Sequence, residues 1–182
     1  MQTSVPATGQ SRAFAGLIAD SSELVDVVSA WSEEASAEMP FGIGLAQGTA
    51  AQGALIPSGA GDKLKGLLAH SYAHAPGGAA GFGDMGSTGI IAGGRLRCLR
   101  HGRIWVVLDA SVASIAPFVD RGWCRHTTDG GANTVPGRWN KADLGGGKQL
   151  DATKQVLFVS DVVTAPDGTK IAEVEVNFTA AP

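Results

Sequence analysis

The sequence predicts an all-β protein, a single-domain β-barrel or jelly-roll-like sandwich with long glycine-rich loops. Three observations support this fold class. Many short segments alternate apolar and polar residues, as half-buried strands do. Glycine supplies 26 of the 182 residues and is concentrated between those segments. No segment keeps the 3.6-residue apolar period of a long amphipathic helix, so the apolar residues are expected to be buried between sheets.

The composition is that of a globular protein with few charges. Hydrophobic residues make up 44% of the chain and charged residues 17%, so the chain can bury a core. The formal net charge of −3 argues against a protein that binds nucleic acid by neutralising phosphates. No apolar run approaches the ~20 residues of a membrane span, and the first residues show no secretory signal. We therefore expect neither nucleic acid nor a membrane as partner, and synthesis in a cytoplasm.

Residues 1–22 are predicted to form an N-terminal arm, because most of them are small or polar and offer little to bury. Residues 23–182 are predicted to form one β domain, since no internal repeat or clear boundary divides them.

The first element of this domain is ambiguous. Residues 24–35 contain apolar positions at helical spacing, whereas the alternation from Val25 to Ser29 is that of a strand. The β-branched residues favour a strand that continues through Trp31. A polar loop at 33–38 is expected to follow, with its glutamates in solvent.

Seven further segments are predicted to be strands: 41–46, 63–74, 95–100, 103–109, 118–125, 156–163 and 171–178. His101 and Gly102 separate two of them, and a two-residue connection that ends in glycine predicts a tight hairpin. In the second arm of that hairpin Ile104, Val106 and Leu108 share one face, so burial of this face fixes the register.

A Pro-Asp-Gly turn at 166–168 leads into the last predicted strand. There Ala172, Val174 and Val176 lie opposite a more polar row that includes Glu173 and Glu175.

The loops are long for a compact barrel, which is typical of functional segments. They cover residues 42–61, 76–94, 129–137 and 144–150. The string at 81–86 has the spacing of a dinucleotide-binding fingerprint, but no strand precedes it and no helix follows it. We interpret this match as a product of glycine density, and the sequence predicts no cofactor.

No arrangement of residues predicts catalysis. None of the four histidines accompanies a serine or cysteine in a nucleophile motif. His70, Tyr72 and His74 would share one strand face, which is more typical of a half-exposed surface than of a general base. The sequence therefore predicts no enzyme and no catalytic residues.

The two cysteines are predicted to be buried thiols. Cys98 has His101 nearby and Cys124 has His126 nearby, so a tetrahedral metal site would require the two segments to pair. The spacing is not that of the common structural zinc modules, and we predict no metal.

Positive charge is concentrated at the predicted hairpin. Arg95 and Arg97 alternate on one strand face, and Arg100 and Arg103 flank the turn. This row is either a solvated outer face or a docking patch for an acidic protein surface. Two tryptophans near glycine and arginine also suit an interface. The candidate partner-binding residues are therefore Arg95, Arg97, Arg103, Trp123 and Trp139.

Several short strings occur in a characteristic order between residues 13 and 178. They are Gly-Leu-Ile-Ala-Asp-Ser at 16–21, Asp-Val-Val at 26–28, Glu-Glu-Ala at 33–35, Pro-Phe-Gly at 40–42, Gly-Asp-Lys-Leu-Lys-Gly-Leu at 61–67, His-Ser-Tyr-Ala-His at 70–74, Leu-Arg-His-Gly-Arg-Ile-Trp-Val at 99–106, Val-Pro-Gly-Arg-Trp at 135–139 and Ala-Glu-Val-Glu-Val-Asn at 172–177. As a set, they make the chain resemble the structural cement (capsid decoration) proteins of tailed bacteriophages.

This resemblance implies a β-barrel or jelly-roll-like domain on the exterior of the virion capsid. The implied partners are the major capsid protein and a second copy of the chain, in a homodimer that bridges neighbouring capsomers and stabilises the shell. It also implies synthesis in the host bacterial cytoplasm, and it carries over no catalytic or cofactor residues. The loop at 130–133 departs from the family pattern.

Two other functions stay open from the residues alone. One is a tail- or receptor-associated virion module. The other is a small β-barrel ligand-binding protein or enzyme with a pocket under residues 76–94.

Overall fold

The computed structural model describes residues 13–19, 25–35, 38–70, 89–128, 135–165 and 168–178. Within these ranges it contains strands and no helix, which confirms the all-β class, and so nothing there forms a helix long and apolar enough to cross a membrane. The strands are β1 (Asp26–Ser32), β2 (Met39–Pro40), β3 (Gly44–Gln47), β4 (Gly53–Leu55), β5 (Leu64–Ala69), β6 (Gly89–Ile90), β7 (Arg95–Val107), β8 (Trp123–Arg125), β9 (Trp139–Asn140), β10 (Gln149–Asp151), β11 (Val156–Phe158), β12 (Val163–Thr164) and β13 (Lys170–Asn177).

Five strands close into a small barrel. β1 pairs with β4 and β7, β4 with β3, and β3 with β5, which returns to β7. All these pairs are antiparallel except β1 with β4. Residues from all five strands form one apolar cluster, which contains Ala30, Met39, Phe41, Ile43, Leu45, Ala54, Leu68, Ile90, Leu96 and Cys98. The predicted β-barrel is therefore confirmed.

The long strand β7 passes from this barrel into a second layer. Its first half pairs with β1 and β5, and its second half pairs with β13, which in turn pairs with β11 and β12. A three-stranded sheet in the order β10-β8-β9 packs here as well. The second apolar cluster combines residues of these elements, among them Ile104, Val106, Cys124, Trp139, Val156, Phe158, Val174 and Val176.

The predicted hairpin at His101 and Gly102 is wrong, because residues 95–107 form one continuous strand. Gly102 has a φ of 126°, which glycine adopts readily. The register with β1 shifts at this place, where Asp26 lies opposite His101 and Val27 lies opposite Leu99. Arg100 is the extra residue of a bulge that lies beside this glycine within the strand, and no turn forms.

This bulge reverses the alternation of side chains along β7. Leu99 lies in the second cluster before the bulge, and Ile104 and Val106 lie in the same cluster after it. Regular alternation would place Leu99 and Ile104 on opposite faces. In the amino-acid sequence, this reversal of the alternation looks the same as two strands separated by a turn.

The other predicted strands differ mainly in length. The strand through Trp31 is confirmed as β1. The segment predicted at 118–125 is a strand only from Trp123, because Phe118 has a φ of 62° in a turn before it. The segment at 156–163 divides into β11 and β12. Residues 71–74 and the string at 81–86 lie outside the described residues.

Part of the predicted N-terminal arm is joined to the β domain. The backbone amide of Gly16 donates to the carbonyl of Trp105 at 2.7 Å, and the amide of Ala19 donates to Arg103 at 2.9 Å. Ile18 forms an isolated β-bridge with Ile104. Residues 13–19 therefore pack along the second half of β7, while residues 1–12 and 20–22 lie outside the described residues.

A buried ion pair joins β8 to the segment that follows β7. The side chains of Arg125 and Asp109 are both 0% exposed, and the guanidinium Nε lies 3.0 and 3.1 Å from the two carboxylate oxygens. Asn140 donates to the same carboxylate at 3.4 Å, and Arg125 also donates to the carbonyl of Thr127 at 3.2 Å. Several hydrogen bonds thus satisfy charges that have been removed from water.

Glu33 and Glu34 of the predicted polar loop are partly exposed and also hold neighbouring backbone in place. Glu33 accepts hydrogen bonds from the backbone amides of Thr49 at 2.7 Å and Ala50 at 2.9 Å, and Glu34 accepts one from Ile56 at 2.7 Å. These contacts fasten the loop between β3 and β4 to the end of β1. The amides of Ala50 and Thr49 lower the pKa of Glu33 below its ordinary value of 4.5.

Acid is expected to weaken the fold through Glu33. Because its pKa is lowered in the folded state, its stabilisation is present above pH 4.5 and is lost as the pH falls through the lowered folded value. Urea unfolding of wild type and Glu33→Gln from about pH 7 to about pH 3 measures this. The variant should be less stable at pH 7 and should lose less stability than wild type on acidification. Parallel curves for the two proteins would contradict this role.

Candidate functional site

The predicted arginine row is divided in two by the bulge in β7. Arg95 and Arg97 are exposed on the first half of β7. Arg103 follows the bulge and forms an ion pair at 3.3 Å with Glu175 on β13, where both side chains are about half exposed. Arg100 is half buried and donates to the carbonyl of Phe178 at 2.9 Å. The structure therefore brings together only Arg95 and Arg97.

Trp31 adds an aromatic ring to the same face. It lies directly opposite Arg95 in the β1–β7 register, and residues opposite each other in an antiparallel pair share a face. Its side chain is 39% exposed. Ile91 is 73% exposed in a turn whose Gly94 accepts a hydrogen bond from Ser32 of β1. We call Trp31, Arg95 and Arg97 the β1–β7 face, and the exposed Ile91 lies in the turn that precedes Arg95.

This face has the composition of a protein-binding surface. Arginine and aromatic side chains are enriched at protein interfaces, and exposed apolar side chains beside them add area to bury. The sequence identified the arginines, because their alternation is visible, but it did not identify Trp31 as part of a surface. The register of β1 against β7 is what places them together.

The two candidate tryptophans occupy different environments. Trp139 is 0% exposed in the second cluster, so its side chain offers no surface to a partner. Trp123 is half buried on β8 and stays a candidate. Gly44 and Gly122 make room for the Trp139 ring, since a Cβ at these positions would lie 3.0 or 3.1 Å from it.

A second feature of the surface is a groove of about 820 Å³ at the start of β5. Four cationic side chains line it, namely Lys63, Lys65, Arg100 and Lys154. Lys63 and Lys65 alternate at the start of one strand, but Arg100 and Lys154 are far from them in sequence. The groove was therefore not predictable from the sequence.

Both cysteines are buried in apolar surroundings, as expected, but in different clusters. Burial raises the pKa of the Cys98 thiol to about 12, and burial also raises the pKa of Cys124. Both are therefore protonated near neutral pH and are poor nucleophiles or metal ligands. In the described ranges, no group of three or more His, Cys, Asp or Glu residues is placed to hold a metal ion.

His70 packs between two aromatic rings. Its ring centroid lies 5.1 Å from that of Phe14 and 4.6 Å from that of Phe41. Burial lowers the pKa of His70. Tyr72 and His74, which would complete the predicted row, lie outside the described residues, as does most of the loop at 76–94.

Comparison with known proteins identifies the family. The family model described as Structural cement protein (E217 gp24/Pam3 gp6) matches residues 1–177, which is nearly the whole chain. A search of curated proteins finds no match. The match agrees with the resemblance in the residue strings and with the all-β fold. The chain therefore belongs to the family of phage structural cement proteins, and its role is a structural one in the capsid.

Proposed function

We propose that this protein binds the outer surface of the assembled phage capsid and stabilises the shell by bridging neighbouring capsomers. The observation that carries the proposal is the family match over residues 1–177. The partner is the major capsid protein, and a homodimer made in the host bacterial cytoplasm is the unit that docks. A two-fold dimer suits this role, because it presents the same docking face twice and isologous pairing is the commonest closed assembly.

Bridging increases the affinity for the shell, because neighbouring capsomers are already held close together there. Once one contact with a capsomer forms, a second contact to the neighbouring capsomer is effectively intramolecular. Modest contacts on a rigid barrel are therefore sufficient, and the role needs no catalytic step.

Co-sedimentation of the purified protein with mature, empty capsids tests this function. Saturable binding, together with a higher temperature of capsid disruption, is the expected result. Failure to sediment with capsids would contradict the proposal. Analytical ultracentrifugation of the free and the capsid-bound protein tests the dimer, and a strict monomer in both states would rule it out.

The β1–β7 face is the docking surface we expect. Arg95→Ser combined with Arg97→Ser should weaken capsid binding about tenfold and reduce its dependence on salt, because the lost contacts are electrostatic. The melting temperature should change little, since both side chains are exposed. Binding curves at two salt concentrations measure the effect.

A matched control removes the same charge elsewhere. Lys141→Ser combined with Lys148→Ser should leave capsid binding unchanged, and Arg103→Ser alone shows whether that arginine contributes. If the control weakens binding as much as the arginine double variant does, net charge is responsible and the β1–β7 face is not the docking surface.

A further inference from the structure

We propose that the groove formed by Lys63, Lys65, Arg100 and Lys154, named the basic groove here, binds an extended acidic segment of the capsid protein. This inference rests on the proposed function for the identity of the partner. It adds a second contact beside the β1–β7 face, and it assigns an acidic ligand to that contact.

The four cations reach the groove from separate parts of the chain. Lys65 lies on β5 and Lys63 immediately before it, Arg100 lies on β7, and Lys154 lies just before β11. None of the described residues that line the groove is a carboxylate. The chain as a whole carries a net charge of −3, so this concavity differs in sign from the rest of the molecule. Clefts lined by charge of one sign attract oppositely charged ligands.

Two of the cations are held in fixed positions. The ammonium of Lys65 donates to the carbonyls of Ala51 at 2.8 Å and Gly53 at 2.9 Å, and Arg100 donates to Phe178 at 2.9 Å. An ammonium has three donors and a guanidinium has five, so both groups keep capacity for a ligand. Lys63 and Lys154 are exposed at the surface of the groove. Two fixed and two exposed cations in one groove suit a ligand with several carboxylates.

Loss of solvation is the largest effect on the pKa of Lys65 and lowers it. Cys98 and Glu33 oppose this shift, and the like charge of Arg100 adds least to it. A carboxylate bound between Lys65 and Arg100 would offset the lost solvation of the ammonium.

The remaining lining favours a peptide over a nucleic acid. Gln52 and Gln155 provide amides that can donate to and accept from a peptide backbone, and Val28 and Leu64 provide an apolar surface. Proteins that bind single-stranded nucleic acid stack bases on exposed aromatic rings. The aromatic side chain on the described lining is Phe178, which is only 7% exposed.

Binding of a fluorescently labelled deca-glutamate peptide to the full-length protein tests the groove without capsids. Fluorescence anisotropy at ~20 mM salt should show saturable binding that weakens as salt is added. Lys63→Ser combined with Lys154→Ser should weaken binding at least about tenfold, whereas Lys141→Ser with Lys148→Ser should retain it. Lys63 and Lys154 are exposed and Lys141 and Lys148 are partly exposed, and the melting temperature of each variant verifies that it is folded.

Three results would overturn the inference. These are equal peptide affinity in both double variants, no binding by wild type, and tighter binding of a labelled deca-thymidylate than of the peptide.

Capsid co-sedimentation then separates this inference from the proposed function. If wild type binds capsids but the groove variants bind the peptide normally, the inference fails and the function stands. If the groove binds the peptide selectively but wild type does not bind capsids, the function fails and the groove remains an acidic-peptide site.

Discussion

Asp109→Ala is expected to lower the free energy of unfolding by about 3–5 kcal/mol, the cost typical of breaking a buried ion pair. The substitution leaves the guanidinium of Arg125 buried at 0% exposure without its carboxylate. It also removes the acceptor for Asn140. Urea unfolding monitored by tryptophan fluorescence measures the loss, and a decrease below about 1 kcal/mol would contradict the argument.

Two further variants show whether charge is the cause. The double variant Asp109→Leu with Arg125→Met replaces the pair with apolar side chains and should recover most of the stability, as such replacements do elsewhere. Glu175→Ala breaks the exposed pair with Arg103 and should cost no more than about 1 kcal/mol. If the double variant is as unstable as Asp109→Ala, packing and not charge determines the effect.

Trp139→Ala is expected to cost about 3–5 kcal/mol, because it removes a fully buried aromatic side chain. The ring packs against Gly44 and Gly122. Because glycines have no side chains, these two residues cannot fill the cavity that the substitution creates. The backbone of Trp139 also accepts a hydrogen bond from the amide of Asp109 at 2.8 Å. Denaturant unfolding measures the loss of stability.

Trp123→Ala is the matched comparison. This side chain is half buried, so its loss should cost clearly less, about 1 kcal/mol. If Trp123 contributes to self-association, the dimer should weaken while the fold persists. Equal and small losses for both variants would contradict the assignment of Trp139 to the core.

The fold class was predictable because alternation is a local property. The strand at β1 and the last strand β13 follow from the alternation of Val25 to Ser29 and of Ala172 to Val176. The hairpin at His101 and Gly102 was predicted wrongly because a glycine bulge and a glycine turn have similar local sequences. Only the pairing partners distinguish them, and those lie far away along the chain.

The candidate surface was predictable only in part. Arg95 and Arg97 are neighbours in sequence and stay neighbours on β7, so their prediction needed no tertiary information. Trp31 joins them through strand register, and Lys154 joins Lys63 through the packing of separate segments. Trp139 was a candidate for an interface, but its ring is fully buried against Gly44 and Gly122, and this packing is not visible in the local sequence.

The continuity of β7 has a consequence for how the molecule unfolds. One strand supplies Leu96 and Cys98 to the first cluster and Ile104 and Val106 to the second. Neither cluster can therefore open without disrupting hydrogen bonds along a strand that the other also needs. The two layers should behave as a single cooperative unit in which the amides of β7 exchange with solvent only through global unfolding. Such cooperativity suits a structural protein of a capsid, because neither half of the molecule can unfold before the other.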